Sequence, residues 1–162
     1  MEQPPTKLSG TKEERYAELF VQFQHLIEGE TNLIAMLGIF CSLLKMNFET
    51  FSWVGFYLLE NNELIVGPFQ GKPPCIRIAI GKGVCGTSAL KRETLNVPNV
   101  DDFPGHIRCD SDARSEIVVP IFFQEKFFGV LDVDSNHLDN FDELDKRFLE
   151  MMCEFLAKEI FQ

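Results

Sequence analysis

Five cysteines, at positions 41, 75, 85, 109 and 153, and three carboxyl groups, Glu116 and the pair Asp132 and Asp134, are the residues with most chemistry to offer. A cysteine acts as a nucleophile only as thiolate, so its surroundings decide its use. Cys41 lies in the apolar run Leu37 to Leu44 and Cys153 in the apolar stripe of the last segment, which predicts two small buried hydrophobes. Cys109 differs. It stands in Phe103-Pro-Gly-His106-Ile-Arg108-Cys109-Asp110-Ser-Asp112-Ala-Arg114, where Arg108, Arg114 and His106 favour the thiolate and Asp110 and Asp112 oppose it. Cys75 sits in a Pro/Gly loop and Cys85 at a turn-to-helix junction, neither in a core stripe, which is what recycling by thiol–disulfide exchange requires. Zinc held by these three cysteines and His106 is the competing use. The wide spacings, without a Cys-x-x-Cys, argue against it.

Asp132 and Asp134, at i and i+2 of a predicted strand, face one way, and a hairpin would bring Glu116 toward them. Carboxylates gathered in this way repel one another unless a cation or a shared proton joins them. An exposed strand end with solvated charges is the plainer alternative. Asp132-x-Asp134-x-Asn136 has the look of part of a calcium loop but lacks its Gly and its distal Glu. Trp53 and Tyr57, four apart on a predicted strand, share a face and suit core packing or an aromatic wall for a small apolar group. Gly81-Lys-Gly83-Val-Cys85-Gly86 matches neither common phosphate-binding fingerprint and reads as turn geometry.

These residues need a scaffold, and 162 residues, 45% hydrophobic and 25% charged, suffice for one globular domain with a core. A formal charge of −10 argues against nucleic acid and anionic membrane as partners. No apolar run reaches the roughly 20 residues of a membrane-spanning helix, no basic leader opens the chain, and the odd cysteine count argues against structural disulfides. A cytoplasmic setting is expected. Residues 1–11 read as a frayed tail, and spacings of three and four predict a helix from Glu13 to near Gly29 and a second, capped by Thr31, to about Met46. Period-two alternation follows: a hairpin through Asn61-Asn62, a strand over Ile76 to Ile80, a helix over Val84 to Arg92, a strand over Thr94 to Val97, and a hairpin over Glu116 to Asp134. Between the last two lie 17 residues, Pro98 to Arg114, without a period, as in a binding loop or lid. Asn140 or Asp142 caps a last helix with the stripe Leu144, Phe148, Met151, Phe155 and Ile160. The order of elements predicts an α+β fold, an antiparallel sheet of about six strands flanked by N- and C-terminal helices around a single core.

Seven segments together resemble the free methionine-(R)-sulfoxide reductases, which are single GAF domains. They are Trp53-Val-Gly-Phe-Tyr57, Gly67-Pro-Phe-Gln-Gly71, Cys75-Ile-Arg-Ile78, Gly81-Lys-Gly-Val-Cys85-Gly86, Phe103-Pro-Gly-His106-Ile-Arg-Cys109-Asp-Ser111, Ser115-Glu-Ile-Val-Val-Pro120 and Gly129-Val-Leu-Asp-Val-Asp-Ser135. Arg108, Asp112 and Arg114 depart from the pattern in being more charged. The resemblance implies one GAF domain over residues 12–162. It implies that Cys109 attacks the sulfoxide sulfur and becomes a sulfenic acid, while Glu116, helped by Asp134, protonates the oxygen. The remaining carboxylates would pair with the ammonium of the free amino acid, and Trp53 and Tyr57 would pack its methyl thioether end. Cys75 or Cys85 would then form a disulfide with Cys109, which a thioredoxin, drawing on NADPH indirectly, would reopen. Cys75 is favoured because Gly71, Pro73 and Pro74 put it on a loop that can swing. No bound cofactor or metal is implied, and a homodimer stays open. The alternative from another class is a GAF small-ligand redox sensor without turnover.

Overall fold

The computed structural model describes residues 5–162; residues 1–4 of the expected tail lie outside it. Asn61 and Asn62, both left-handed at φ 50° and 63°, form the two-residue turn joining β1 (Phe51–Glu60) to β2 (Glu63–Gln70). Two successive positive φ values match such a turn to the twist of its strands. Beyond lie β3 (Arg77–Ala79) and β4 (Leu95–Val97), and then the second hairpin, β5 (Ser115–Phe123) and β6 (Lys126–Ser135), turning at Gln124 with φ 56°. The strands pair antiparallel in the order β3-β2-β1-β6-β5-β4. The expected α+β architecture is present, with helices α1 (Lys12–Leu26) and α2 (Leu33–Asn47) before the sheet, α3 (Gly83–Lys91) within it and α4 (Glu143–Phe161) after it.

The sheet has two cores rather than the expected one. Alternation sends Val54, Phe56, Ile117, Val119, Leu131 and Val133 to one face, where α1, α2 and α4 cover them. The other face carries Trp53, Tyr57, Val118 and Val130 beneath Val84, Cys85 and Ala89 of α3. A fully buried large apolar side chain contributes about 1.5–3 kcal/mol, so the face under α1, α2 and α4, which buries more of them, gains more from apolar burial.

The helix ends are fixed by side chains. Thr11 and Glu14 form a capping box on α1, and Asp142, one of the two expected caps, forms another with Asp145 on α4. Tyr16 Oη donates to buried Asp145 at 2.6 Å, and Lys12 pairs with the same carboxylate, locking α1 to α4. The cap of α2 is Asn32 and not Thr31, because Asn32 Oδ1 accepts from the Ala35 N–H. Met152 is buried where Met151 was expected, and Met151 is exposed. Within residues 5–11, Leu8 is buried and its N–H donates to Asn47 Oδ1 at 2.7 Å.

The central pair, β1 and β6, approaches closely at Gly129. A Cβ there would stand 2.2 Å from the Tyr57 carbonyl oxygen, a backbone atom that cannot yield without moving β1. Gly129→Ala is expected to cost about 2 kcal/mol or more in urea unfolding; a change below about 0.5 kcal/mol, the scale of a neutral surface substitution, would contradict this reading of the strand contact.

Candidate functional site

Register builds the site. In the antiparallel ladder Glu116 pairs with Asp134, Asp134 with Trp53, and Asp132 with both Val118 and Gly55, so two aspartates, one glutamate and the indole share a face. Gly55 is required beneath the indole: a Cβ there would meet Trp53 Cη2 at 2.3 Å. The loop from Pro98 to Arg114 closes over this face, its base fixed by Val100 N–H to the Arg114 carbonyl at 2.9 Å and Asp139 N–H to the Pro98 carbonyl at 2.8 Å. Beneath it lies a chamber of about 40 Å³ lined by Trp53, Tyr57, Cys85, Cys109, Glu116 and the two aspartates.

Burial and crowding drive the carboxyl groups of the chamber toward the protonated form. Glu116 and Asp132 are buried and Asp134 is half-buried. Burial first, and then the charge of Asp134, pushes Glu116 up to about 8. Burial, followed by the charge of Glu116, raises Asp132 well above its ordinary value, and burial with the charge of Asp132 does the same for Asp134. Asp132 Oδ1 is buried without a hydrogen-bond partner. His106, whose Nε2 lies 3.6 Å from Glu116 Oε2, is held below the usual histidine value by burial and then by Arg108. It is therefore neutral near pH 7 and faces the carboxyl cluster. The sequence suggested that it would assist Cys109 with positive charge; its place opposite Glu116 was missed, and nothing in the spacing signals it.

The three candidate thiols part company. Cys75 and Cys109 are joined by a disulfide, their Cα atoms 5.3 Å apart. Cys85 is a buried free thiol donating to Glu116 Oε1 at 3.8 Å, its pKa driven well up by burial and then by Asp132. Cys41 and Cys153 are buried in the helix-side core, as expected. The rival arrangement, with Cys75, Cys85, Cys109 and His106 around zinc, is not the one observed, since two of those sulfurs are bonded to each other. Among the described residues one cluster has metal-ligating atoms mutually close, Cys85, Glu116 and Asp132 within 4.8 Å, and burial drives its two carboxyl groups toward the protonated form.

Trp53 and Tyr57 present their rings to the chamber and their polar tips to the segment bearing Cys75. Trp53 Nε1 donates to the Lys72 carbonyl at 3.0 Å and Tyr57 Oη to the Cys75 carbonyl at 2.9 Å. With Pro73 and Pro74 restricting φ between those anchors, residues 72–75 form a strap held at both ends, where a swinging loop was expected.

Residues 32–160 match the GAF domain family, which gives the class of the fold: a GAF domain, here with a buried carboxyl cluster beside a cysteine pair. Over 147 residues the chain is 41% identical to the free methionine-R-sulfoxide reductase of Escherichia coli, covering 91% of this chain and 89% of that one. Over 155 residues it is 42% identical to the free methionine-R-sulfoxide reductase of Saccharomyces cerevisiae, covering 91% and 86%. It superposes with a TM-score of 0.92 on the X-ray structure of free methionine-R-sulfoxide reductase from Neisseria meningitidis in complex with its substrate, at 41% identity over 96% of this chain and 93% of that one. The chain belongs to the free methionine-(R)-sulfoxide reductase family of GAF domains.

Because Glu116 has a higher pKa in the fold than its ordinary 4.5, it contributes stability fully below that value and loses it as pH rises toward about 8. Glu116→Gln carries no such loss. Its free energy of unfolding in urea is expected to gain on that of the unsubstituted protein between pH 5 and pH 8, by up to about 1.4 kcal/mol per pH unit. An identical difference at both pH values would show that Glu116 is ionised in the fold.

Proposed function

We propose that this chain reduces free L-methionine-(R)-sulfoxide to methionine, with Cys109 as nucleophile and Glu116 as acid. The observation that carries this reading is a buried glutamate, its pKa pushed up to about 8, and a cysteine sulfur lining one chamber. Cys109 thiolate attacks the sulfoxide sulfur while Glu116 delivers its proton to the oxygen, which needs a carboxyl group still protonated near neutral pH. In balance, Cys109–SH and the sulfoxide give Cys109–SOH and the thioether; the substrate sulfur gains two electrons and the enzyme sulfur loses two. Asp132, with its unpartnered oxygen, and Asp134 receive the substrate ammonium, whose charge favours their ionised form and which a methionine inside a peptide lacks. The rings of Trp53 and Tyr57 pack the methyl thioether end.

Cys75 is the resolving residue in this scheme, and the Cys75–Cys109 disulfide supports it. Cys75–SH condenses with Cys109–SOH, releasing water, and a dithiol reductant of the thioredoxin class reopens the bond. Cys85, driven toward the thiol form, serves as a hydrogen-bond donor to Glu116 instead. In the disulfide form the chamber of about 40 Å³ has room for two or three waters and not for an amino acid, so substrate enters after reduction. A reducing compartment such as the cytoplasm suits this cycle, with no metal or bound cofactor taking part.

Free methionine sulfoxide epimers supplied with thioredoxin, its reductase and NADPH test the proposal. Consumption of the R epimer alone is expected, abolished by Cys109→Ser; use of peptide-bound sulfoxide, or of both epimers equally, would refute the chamber described. Cys75→Ser is expected to stall thioredoxin-dependent cycling after one equivalent of methionine while Cys85→Ser continues to cycle, and the opposite order would reverse their roles. Glu116→Gln is expected to lower kcat by about 10²-fold or more, the scale of a lost general acid.

A further inference from the structure

Resting on that reading, a further question is what makes Cys75 meet the oxidised Cys109. The strap is pinned from below by the Lys72 and Cys75 carbonyls. From above, the Lys72 ammonium binds Asp112 and stands 3.5 Å from Asp110. Asp110 adjoins Cys109 in sequence, and Asp112 turns back on it through its own N–H, which donates to Asp110 Oδ1 at 3.0 Å. Lys72 thus crosses from the Cys75 strap to the Cys109 loop at the point where their sulfurs join. Arg108, next to Cys109 in the chain, is taken by Asp101 and does not make this crossing, and Arg114, whose charge also acts on Asp112, lies on the Cys109 side.

We propose that Lys72 is a positioning residue for the resolving step: its ion pairs with Asp110 and Asp112 dock the strap against the Cys109 loop, so that Cys75–SH reaches Cys109–SOH. The reaction it assists forms the S–S bond, breaks the S–OH bond and releases water, the proton coming from the Cys75 thiol. Its rate scales with the fraction of molecules in which the two loops are docked. An exposed ion pair shifts such a fraction modestly, about two- to fivefold, and salt weakens it because the screening length is about 10 Å at 0.1 M. A dependence of disulfide formation on ionic strength is therefore the signature of this role.

Reduced protein oxidised by hydrogen peroxide reads the step without methionine sulfoxide, since peroxide takes Cys109 to the same sulfenic acid. Disulfide formation is followed as loss of thiols against dimedone trapping of Cys109–SOH. Lys72→Met is expected to slow disulfide formation about two- to fivefold and to abolish its salt dependence; Lys72→Glu slows it about tenfold, and Lys72→Arg restores it. Equal salt dependence in Lys72→Met and the unsubstituted protein, or a rate within 1.5-fold in Lys72→Glu, overturns the proposal. In a Cys75→Ser background, Lys72→Glu leaves the pH profile of Cys109 alkylation in place; a shift large enough to account for the slowing would assign Lys72 to the nucleophile instead. A clear result here with no reduction of methionine sulfoxide would sink the proposed substrate and spare the clasp.

Discussion

Three carboxyl groups on one face of a sheet, enclosed by a loop and a helix, cannot all be charged, and the rest of the site follows from that constraint. Burial and mutual repulsion drive these groups toward the protonated form, and a retained proton is what the proposed reduction draws on. Burying such groups costs folding free energy that has to be recovered elsewhere. The division of the sheet into two cores provides for it. Aromatic and aliphatic side chains under α1, α2 and α4 hold the strands in register, and that register sets Glu116 against Asp134.

The same gradient of burial sorts the thiols. Cys85 lies deep, beside the carboxyl groups, where any charge on its sulfur is opposed by low polarity and by negative neighbours. Cys75 and Cys109 lie partly exposed on two loops at the rim, reachable by each other and from outside. Depth therefore separates an interior of carboxyl groups driven toward the protonated form from a rim that carries the disulfide, with the aromatic pair at the boundary. Trp53 and Tyr57 serve both zones, offering ring faces to the chamber and donors to the strap.

Much of this was legible in the sequence because it depends on short-range periodicity. Alternation at i and i+2 put Asp132 and Asp134 on one face, and the turn at Gln124-Glu125 made Glu116 their neighbour. The Asn61-Asn62 turn and both hairpins were visible for the same reason. What escaped depends on contacts far apart in the chain or on a phase of one residue. No local pattern tells that His106 faces Glu116, that Leu8 is tied to Asn47, or that Tyr57 reaches the Cys75 carbonyl. Met151 and Met152 differ by a single helical step of about 100°, too little for an apolar stripe to resolve. The second core was hidden because the residues that cover its long strands, among them Ile78, Ala89 and Val100, come from short elements, each too brief to show a period.

The charges that depart from the family pattern illustrate how local pairing limits their effect on chemistry. Arg108, Asp112 and Arg114 bracket Cys109 in sequence and together look like a strong perturbation of its thiol. In the fold Arg108 is paired with Asp101, Asp112 with Lys72, and the charge of Arg114 falls on Asp112. Each formal charge is largely cancelled at short range in solvent, where screening is efficient. What remains around the sulfur is the field of the interior, which partly protonated carboxyl groups keep smaller than their number implies. The extra surface charges thus bear on how the two loops meet, while the buried cluster bears on where the proton is held.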